Sequence, residues 1–75
     1  MNKQRRQLLK KANQLLLDAK DIIEDVMNDE SDAFDNLSEG LQCTMRGEQM
    51  ENNIGEMEDA INNIDCVIDN LSMID

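Results

Sequence analysis

The sequence predicts an all-α protein: an antiparallel hairpin of two long helices that self-associates into a four-helix bundle. Apolar residues recur at steps of three and four along both halves of the 75-residue chain, which is typical of packed helices. The chain has no Pro, Trp or Tyr, only three Gly and one Phe, which argues against a β-sandwich or barrel. A third observation, the separation of basic from acidic residues, predicts how the helices pair.

The first helix is predicted over about residues 3–36. In its main apolar row, apolar residues recur at alternating steps of four and three residues. A companion row of apolar residues lies one position later in the sequence. The main row contains Leu8, Ala12, Leu15, Ala19, Ile22, Val26 and Ala33, and the companion row contains Leu9, Leu16 and Ile23. The pattern weakens over residues 28–31, so the sequence is compatible with a bend there.

A connection is predicted over about residues 37–43, where Gly40 gives the backbone freedom. The second helix is predicted over about residues 44–74, with Thr44 as its N-cap. Its heptad rows are cleaner than those of the first helix: Met50, Met57, Ile64 and Leu71, then Ile54, Ile61 and Ile68, then Ala60, Val67 and Ile74. Residues 1–75 therefore form a single helical-hairpin domain.

The charges indicate a register for the hairpin. Residues 1–17 contain five basic residues and no acidic one, whereas residues 18–75 contain two basic and 17 acidic residues. A turn centred near residue 40 places Lys20 level with Asp59. It also places the basic end of the first helix beside Asp65, Asp69 and Asp75.

The apolar rows predict self-association. Each helix has about three rows, whereas a two-helix seam covers two. A chain of this length also builds only a small core on its own, so a homo-oligomer is expected. The residues assigned to the self-associating stripe are Leu9, Leu16, Ile23, Met57, Ile61, Ile64, Val67, Ile68 and Leu71.

Two rows of acidic residues are the candidate partner-binding surface. The acidic ridge comprises Asp18, Asp21, Asp25, Asp29 and Asp32, about one carboxylate per helical turn of roughly 5.4 Å. The acidic row on the second helix comprises Glu51, Glu58 and Asp65. Such rows can imitate a nucleic-acid backbone and occupy a basic surface of another protein. The other interpretation is that they are ordinary solvated faces that keep the protein soluble.

The remaining chemistry is sparse. An EF-hand reading of the stretch that begins at Asp29 fails, because Ala33 and Phe34 occupy the positions for an oxygen ligand and a Gly. With no His and two distant thiols, Cys43 and Cys66, neither a metal site nor a disulfide is predicted. No cofactor is expected. Without a His, a Tyr or a Gly-rich loop, the chain is not expected to be an enzyme.

The location and the partners follow from the same composition. The longest apolar run is three Leu, and the basic start lacks a continuous apolar segment, so neither a membrane span nor a secretory signal is predicted. Reduced thiols fit the cytoplasm. The basic stretch from Lys3 to Lys11 could contact nucleic acid or a membrane surface. The net charge of −10 and the lack of stacking aromatics favour pairing within the protein instead.

The turn region carries a resemblance. The run Ala33-Phe34-Asp35-Asn36-Leu37-Ser38-Glu39-Gly40-Leu41-Gln42, followed by Arg46-Gly47-Glu48-Gln49-Met50-Glu51, resembles small uncharacterised acidic coiled-coil proteins of Gram-positive bacteria, their phages and mobile elements. This chain has Ser38 where Pro is usual, and its second helix is richer in Asn. The resemblance implies a helical hairpin and a phage or mobile-element source, and it brings no catalytic or binding residues.

The sequence thus predicts a non-enzymatic acidic interaction protein that binds and inhibits or modulates a basic host or defence protein. Direct binding to nucleic acid or to a membrane is not expected. The alternative function is a purely structural, self-assembling coiled-coil scaffold. A third possibility, transcriptional regulation through the basic N-terminal stretch, requires direct DNA binding with a strong salt dependence.

Overall fold

A computed structural model describes residues 1–74 and shows two long helices packed into an antiparallel hairpin. Helix α1 spans Lys3–Asp35, the short helix α2 spans Glu39–Gln42, and helix α3 spans Met45–Ser72. The molecule is narrow, with extents of 58 × 15 × 12 Å. No strand occurs in residues 1–74. The prediction of an all-α helical hairpin is confirmed.

Helix α1 is continuous through residues 28–31. It begins after Asn2, whose side chain accepts a hydrogen bond of 2.8 Å from the backbone N–H of Arg5 and so satisfies one free amide of the first turn. The first turn contains no acidic residue, which leaves its cations at the positive end of the helix dipole. The antiparallel arrangement offsets this cost, because Arg6 and Lys10 share a groove with Leu71 at the negative end of α3.

The connection contains a helical turn that the sequence pattern did not indicate. The Ser38 hydroxyl caps α2 by accepting a hydrogen bond of 3.4 Å from the N–H of Leu41. The Gln42 side-chain amide donates hydrogen bonds of 3.2 Å to the carbonyl oxygens of Phe34 and of Leu37. The Phe34 carbonyl lies in the last turn of α1 and the Leu37 carbonyl just beyond its end, where intrahelical donors run out. Gln42 therefore closes the C-terminus of α1 from the other side of the connection.

Helix α3 begins with a predicted cap and a close backbone approach. The Thr44 hydroxyl accepts a hydrogen bond of 3.4 Å from the N–H of Gly47, which confirms Thr44 as the N-cap. Gly47 is buried, and a Cβ added to it would lie 2.8 Å from Gln42 Cα and closer still to the Gln42 carbonyl. Glycine is therefore required at position 47 because the Gln42 backbone leaves no room for a Cβ. Backbone conformation is not the reason, since no described residue has a positive φ.

The predicted register is wrong by about one helical turn. Lys20 Nζ donates a hydrogen bond of 2.7 Å to Asp65 and not to Asp59, and the Asn53 amide donates one of 3.2 Å to Glu30. The turn centre therefore lies nearer residue 42 than residue 40, because the first turn of α3 extends past the end of α1. A shift of about 3.6 residues leaves the same helix faces opposed while it changes every neighbour.

The core of the hairpin is small. Met50 and Ile61 are the only buried apolar side chains in the described residues, with exposed fractions of 8% and 9%. The rest of the seam between α1 and α3 is half-buried, and it includes polar side chains such as Lys20 and Glu30. A seam of this kind excludes little water. Its stability is therefore sensitive to the caps and to the close approach at Gly47.

Two glycine substitutions should have opposite effects on stability. Replacing Gly47 with Ala should destabilise the protein, because the new methyl group collides with the Gln42 backbone at a cost of about 1–3 kcal/mol. Replacing Gly55 with Ala should stabilise it by about 1 kcal/mol through helix propensity, since nothing lies within 4 Å of the added Cβ. Chemical denaturation followed by circular dichroism, at one fixed protein concentration, measures both changes. A stabilising Gly47→Ala would contradict the assigned role of this residue.

Candidate interaction surfaces

Most of the predicted self-association stripe lies inside the hairpin. On α1, Leu9, Leu16 and Ile23 are half-buried on the side that packs against α3. On α3, Ile61 is buried, and the half-buried members are Met57, Ile64, Ile68 and Leu71. Val67 differs from the others, because 42% of its surface is exposed. The companion row of α1 therefore forms the seam, and the main apolar row does not.

The main row of α1 forms an exposed apolar face. Its large side chains retain half or more of their surface: Leu8, Leu15, Ile22 and Val26. At about 100° per residue, these four lie within about 40° of one another and about 100° around α1 from the seam. On α3, Val67 lies about 120° around from Ile61. Because the helices are antiparallel, these rotations place Val67 on the same side of the hairpin. We call these five residues the apolar face.

The acidic ridge occupies the back of α1. All five of its residues, Asp18, Asp21, Asp25, Asp29 and Asp32, are exposed. At about 100° per residue they centre about 180° from the seam, and they border the apolar face. None of them forms an ion pair within residues 1–74, and Asp18 accepts a hydrogen bond of 2.9 Å from Gln14. The ridge therefore presents a line of carboxylates, none of which forms an ion pair with a described cation.

The acidic row of α3 is a separate surface. Glu51 and Glu58 are exposed, whereas Asp65 is half-buried and holds the Lys20 ammonium. The row lies about 60° around α3 from Ile61, on the side opposite to Val67. The hairpin therefore does not join the ridge and the row into one acidic surface. This separation could not be predicted from the sequence, because heptad spacing along each helix does not report which side of the seam a row occupies.

Lys20 is the ionic link between the helices. Its ammonium lies 2.7 Å from an Asp65 oxygen and 4.0 Å from a Glu24 oxygen. The hydrogen bond to Asp65 raises the pKa of Lys20 above its ordinary value of 10.5, against a smaller effect of desolvation, and the negative charges of Asp65, Glu24 and Asp21 raise it further. The folded protein therefore favours the charged form of Lys20.

The acidic residues predicted to lie beside the basic stretch are not all found there. Asp65 was expected beside it, but the shift in register pairs Asp65 with Lys20 instead. Lys3, Arg5, Arg6, Lys10 and Lys11 are all exposed, and none forms an ion pair within residues 1–74. The predicted neighbour Asp75 lies outside the described residues. Five cations thus lie at the open end of the hairpin without an ion-pair partner in the described residues.

Other kinds of site receive little support from the described residues. Residues 29–35 are helical, so the stretch considered as an EF-hand is no loop. Within residues 1–74 no group of three His, Cys, Asp or Glu side chains could hold a metal ion. Cys43 and Cys66 are both exposed and unpaired. Among the described helices, none has the length and apolar character needed to cross a membrane.

Comparison with protein-family models, with curated proteins and with solved structures found no match to this chain.

The ion pair of Lys20 should give a defined pH dependence. A raised pKa in the folded state contributes stability that is complete below pH 10.5 and is lost as the pH rises through the higher folded value. Lys20→Gln should therefore destabilise the protein at neutral pH, and the difference from the unmodified protein should shrink at alkaline pH. Denaturant titrations between pH 7 and pH 12 measure it, with Lys3→Gln as the matched loss of an unpaired charge. An equal effect of both variants would contradict the link.

Proposed function

We propose that this chain is a non-enzymatic interaction protein that binds a basic surface of another protein through the acidic ridge. In this proposal the working form is a self-associated hairpin, a four-helix bundle. The observation that carries it is the state of the ridge: five exposed carboxylates on one face of a continuous helix, none of which forms an ion pair in the described residues. A rigid line of charge attracts an oppositely charged surface and suppresses wrong partners.

The spacing of the ridge bears on the kind of basic surface it would fit. Its carboxylates recur about once per 5.4 Å turn, whereas the phosphates of one DNA strand recur at about 3.4 Å. The match with a nucleic-acid backbone is therefore one of sign, with a lower charge density. A groove that binds nucleic acid, held by several Lys or Arg side chains, is the proposed kind of target.

The biological setting of the proposal comes from the sequence resemblance described above. Small acidic proteins of phages and mobile elements that occupy a basic groove would inhibit or modulate a host or defence protein, and they would do so in the cytoplasm. The proposal needs no catalytic group and no cofactor on this chain. Its chemistry is charge complementarity alone.

A second candidate function, a self-assembling scaffold, is favoured by a different observation. The apolar face leaves large side chains in water, with 59–64% of Leu8, Leu15 and Ile22 exposed. A scaffold would assemble through this face, and substitutions in the acidic ridge would not change its assembly. The two functions therefore make opposite predictions for substitutions of acidic residues.

Charge reversal on the ridge tests the leading proposal. Asp21→Lys/Asp25→Lys/Asp29→Lys should reduce capture of partner proteins from a host lysate by about tenfold or more, because each reversed charge repels a basic surface. Captured proteins are identified by mass spectrometry. Those lost with the variant should also be displaced by added double-stranded DNA if they bind through a nucleic-acid groove.

A matched triple variant supplies the control. Glu56→Lys/Asp59→Lys/Asp69→Lys changes the net charge by the same amount at exposed positions outside both the acidic ridge and the acidic row. It should retain the captured proteins. Equal loss from both variants would mean that net charge and not the ridge drives binding, and equal retention would remove the ridge from the function.

A further inference from the structure

The apolar face is the feature that neither the seam nor the ridge explains. From Leu8 to Val26 it extends over 18 residues of α1, about 27 Å at 1.5 Å per residue. With Val67 on the neighbouring helix, it covers a strip about two helices wide, roughly 500 Å². Apolar patches of this size on small proteins commonly mark interaction surfaces.

We propose that the apolar face binds a second copy of this chain in an antiparallel orientation, so that α1 of one copy packs on α1 of the other. The inference rests on the self-association in the proposed function and specifies its surface and its geometry. It differs from the stripe that the sequence predicted, because most of that stripe is used within the hairpin. Three properties of the face support this arrangement.

The main row of α1 is complementary to itself when reversed. In an antiparallel pair with its two-fold axis near residue 17, each residue of α1 lies opposite a residue of the second copy, and the two residue numbers always add up to the same sum. This pairing places Leu15 opposite Ala19, Ile22 opposite Ala12 and Leu8 opposite Val26 of the second copy. In the first two pairs a large exposed side chain meets a small half-buried one. Alternation of large and small residues is how packed helix surfaces interdigitate.

The axis also suits α3. In the observed register, Lys20 meets Asp65 and Glu30 meets Asn53, so Val67 lies level with about residue 17 of α1. Val67 is therefore close to the proposed axis and opposite its own copy. The α1 residues of the apolar face and Val67 on α3 thus share one centre of symmetry, which a two-fold interface requires.

The charge distribution selects the antiparallel orientation over the parallel one. The half of the hairpin that contains the connection, residues 24–60, has one basic and twelve acidic residues, a net charge of −11. The open half has six basic and five acidic residues, a net charge of +1. A parallel pair would place two halves of −11 side by side. An antiparallel pair places each beside the basic stretch of the open end, with Lys11 near Asp25 of the second copy.

The size of the face sets the expected affinity. Two strips of roughly 500 Å² bury about 1,000 Å² in total, which is at the lower limit for a stable interface. We therefore expect a dimer with a dissociation constant of micromolar order. Dimer formation should weaken as protein concentration falls and, because the ends attract, as salt rises.

Sedimentation equilibrium tests the surface. The unmodified protein should be a dimer at about 100 µM, and Leu15→Glu/Ile22→Glu should be a monomer with unchanged helical circular dichroism. The control Leu41→Glu/Met45→Glu makes the same chemical change at exposed apolar residues in and just after the connection, and it should remain dimeric. A dimer that survives Leu15→Glu/Ile22→Glu would overturn the surface, and monomeric unmodified protein would overturn self-association altogether.

Cysteine cross-linking tests the orientation, in a background with Cys43→Ser and Cys66→Ser. A mixture of the single variants Leu8→Cys and Val26→Cys should form a mixed disulfide-linked dimer under mild oxidation, because the antiparallel pair places residue 8 of one copy opposite residue 26 of the other. Leu8→Cys alone reports the parallel pairing, in which residue 8 meets its own copy, and it should cross-link poorly. Efficient cross-linking of Leu8→Cys alone, without the mixed disulfide, would overturn the antiparallel arrangement. Capture by the monomeric Leu15→Glu/Ile22→Glu variant then shows whether ridge binding fails separately from dimer formation.

Discussion

The close approach of Gly47 to the Gln42 backbone is the constraint on which the rest of the hairpin depends. It fixes where α3 starts relative to the connection, because no side chain fits between the two backbones. Gln42 also reaches back to two carbonyl oxygens at the end of α1. One residue therefore sets both the end of the first long helix and the start of the second. The register seen at Lys20 and Asp65 follows from that placement.

The register in turn decides which surfaces remain in water. The companion row of α1 packs against α3, so the seam is narrow, and among the described apolar residues only Met50 and Ile61 are buried. The main row, which is equally apolar in sequence, is left on the outside beside the ridge. An apolar strip and a line of carboxylates thus lie next to each other on one helix. The two can serve different partners at the same time.

The sequence predicted the helices, the hairpin and the Thr44 cap, because periodicity and capping are local properties. It did not predict α2, the role of Gln42 or the register, which depend on contacts between residues distant in the chain. The sequence pattern favours self-association for the companion row of α1, whereas the fold uses that row for the seam, and only the position of α3 shows which of the two rows is covered. For the same reason the spacing of Asp65 suggested an acidic row, whereas the fold uses Asp65 to hold Lys20.

The uneven charge of the hairpin has a consequence for how any molecule would meet it in solution. At physiological salt an exposed charge is felt over about 8 Å, much less than the 58 Å length of the protein. An approaching molecule therefore responds to the charge of the nearest part of the protein and not to the net charge of −10. The protein behaves as a rod with one strongly anionic half. Cationic surfaces are steered towards that half, at a rate that falls as salt is added.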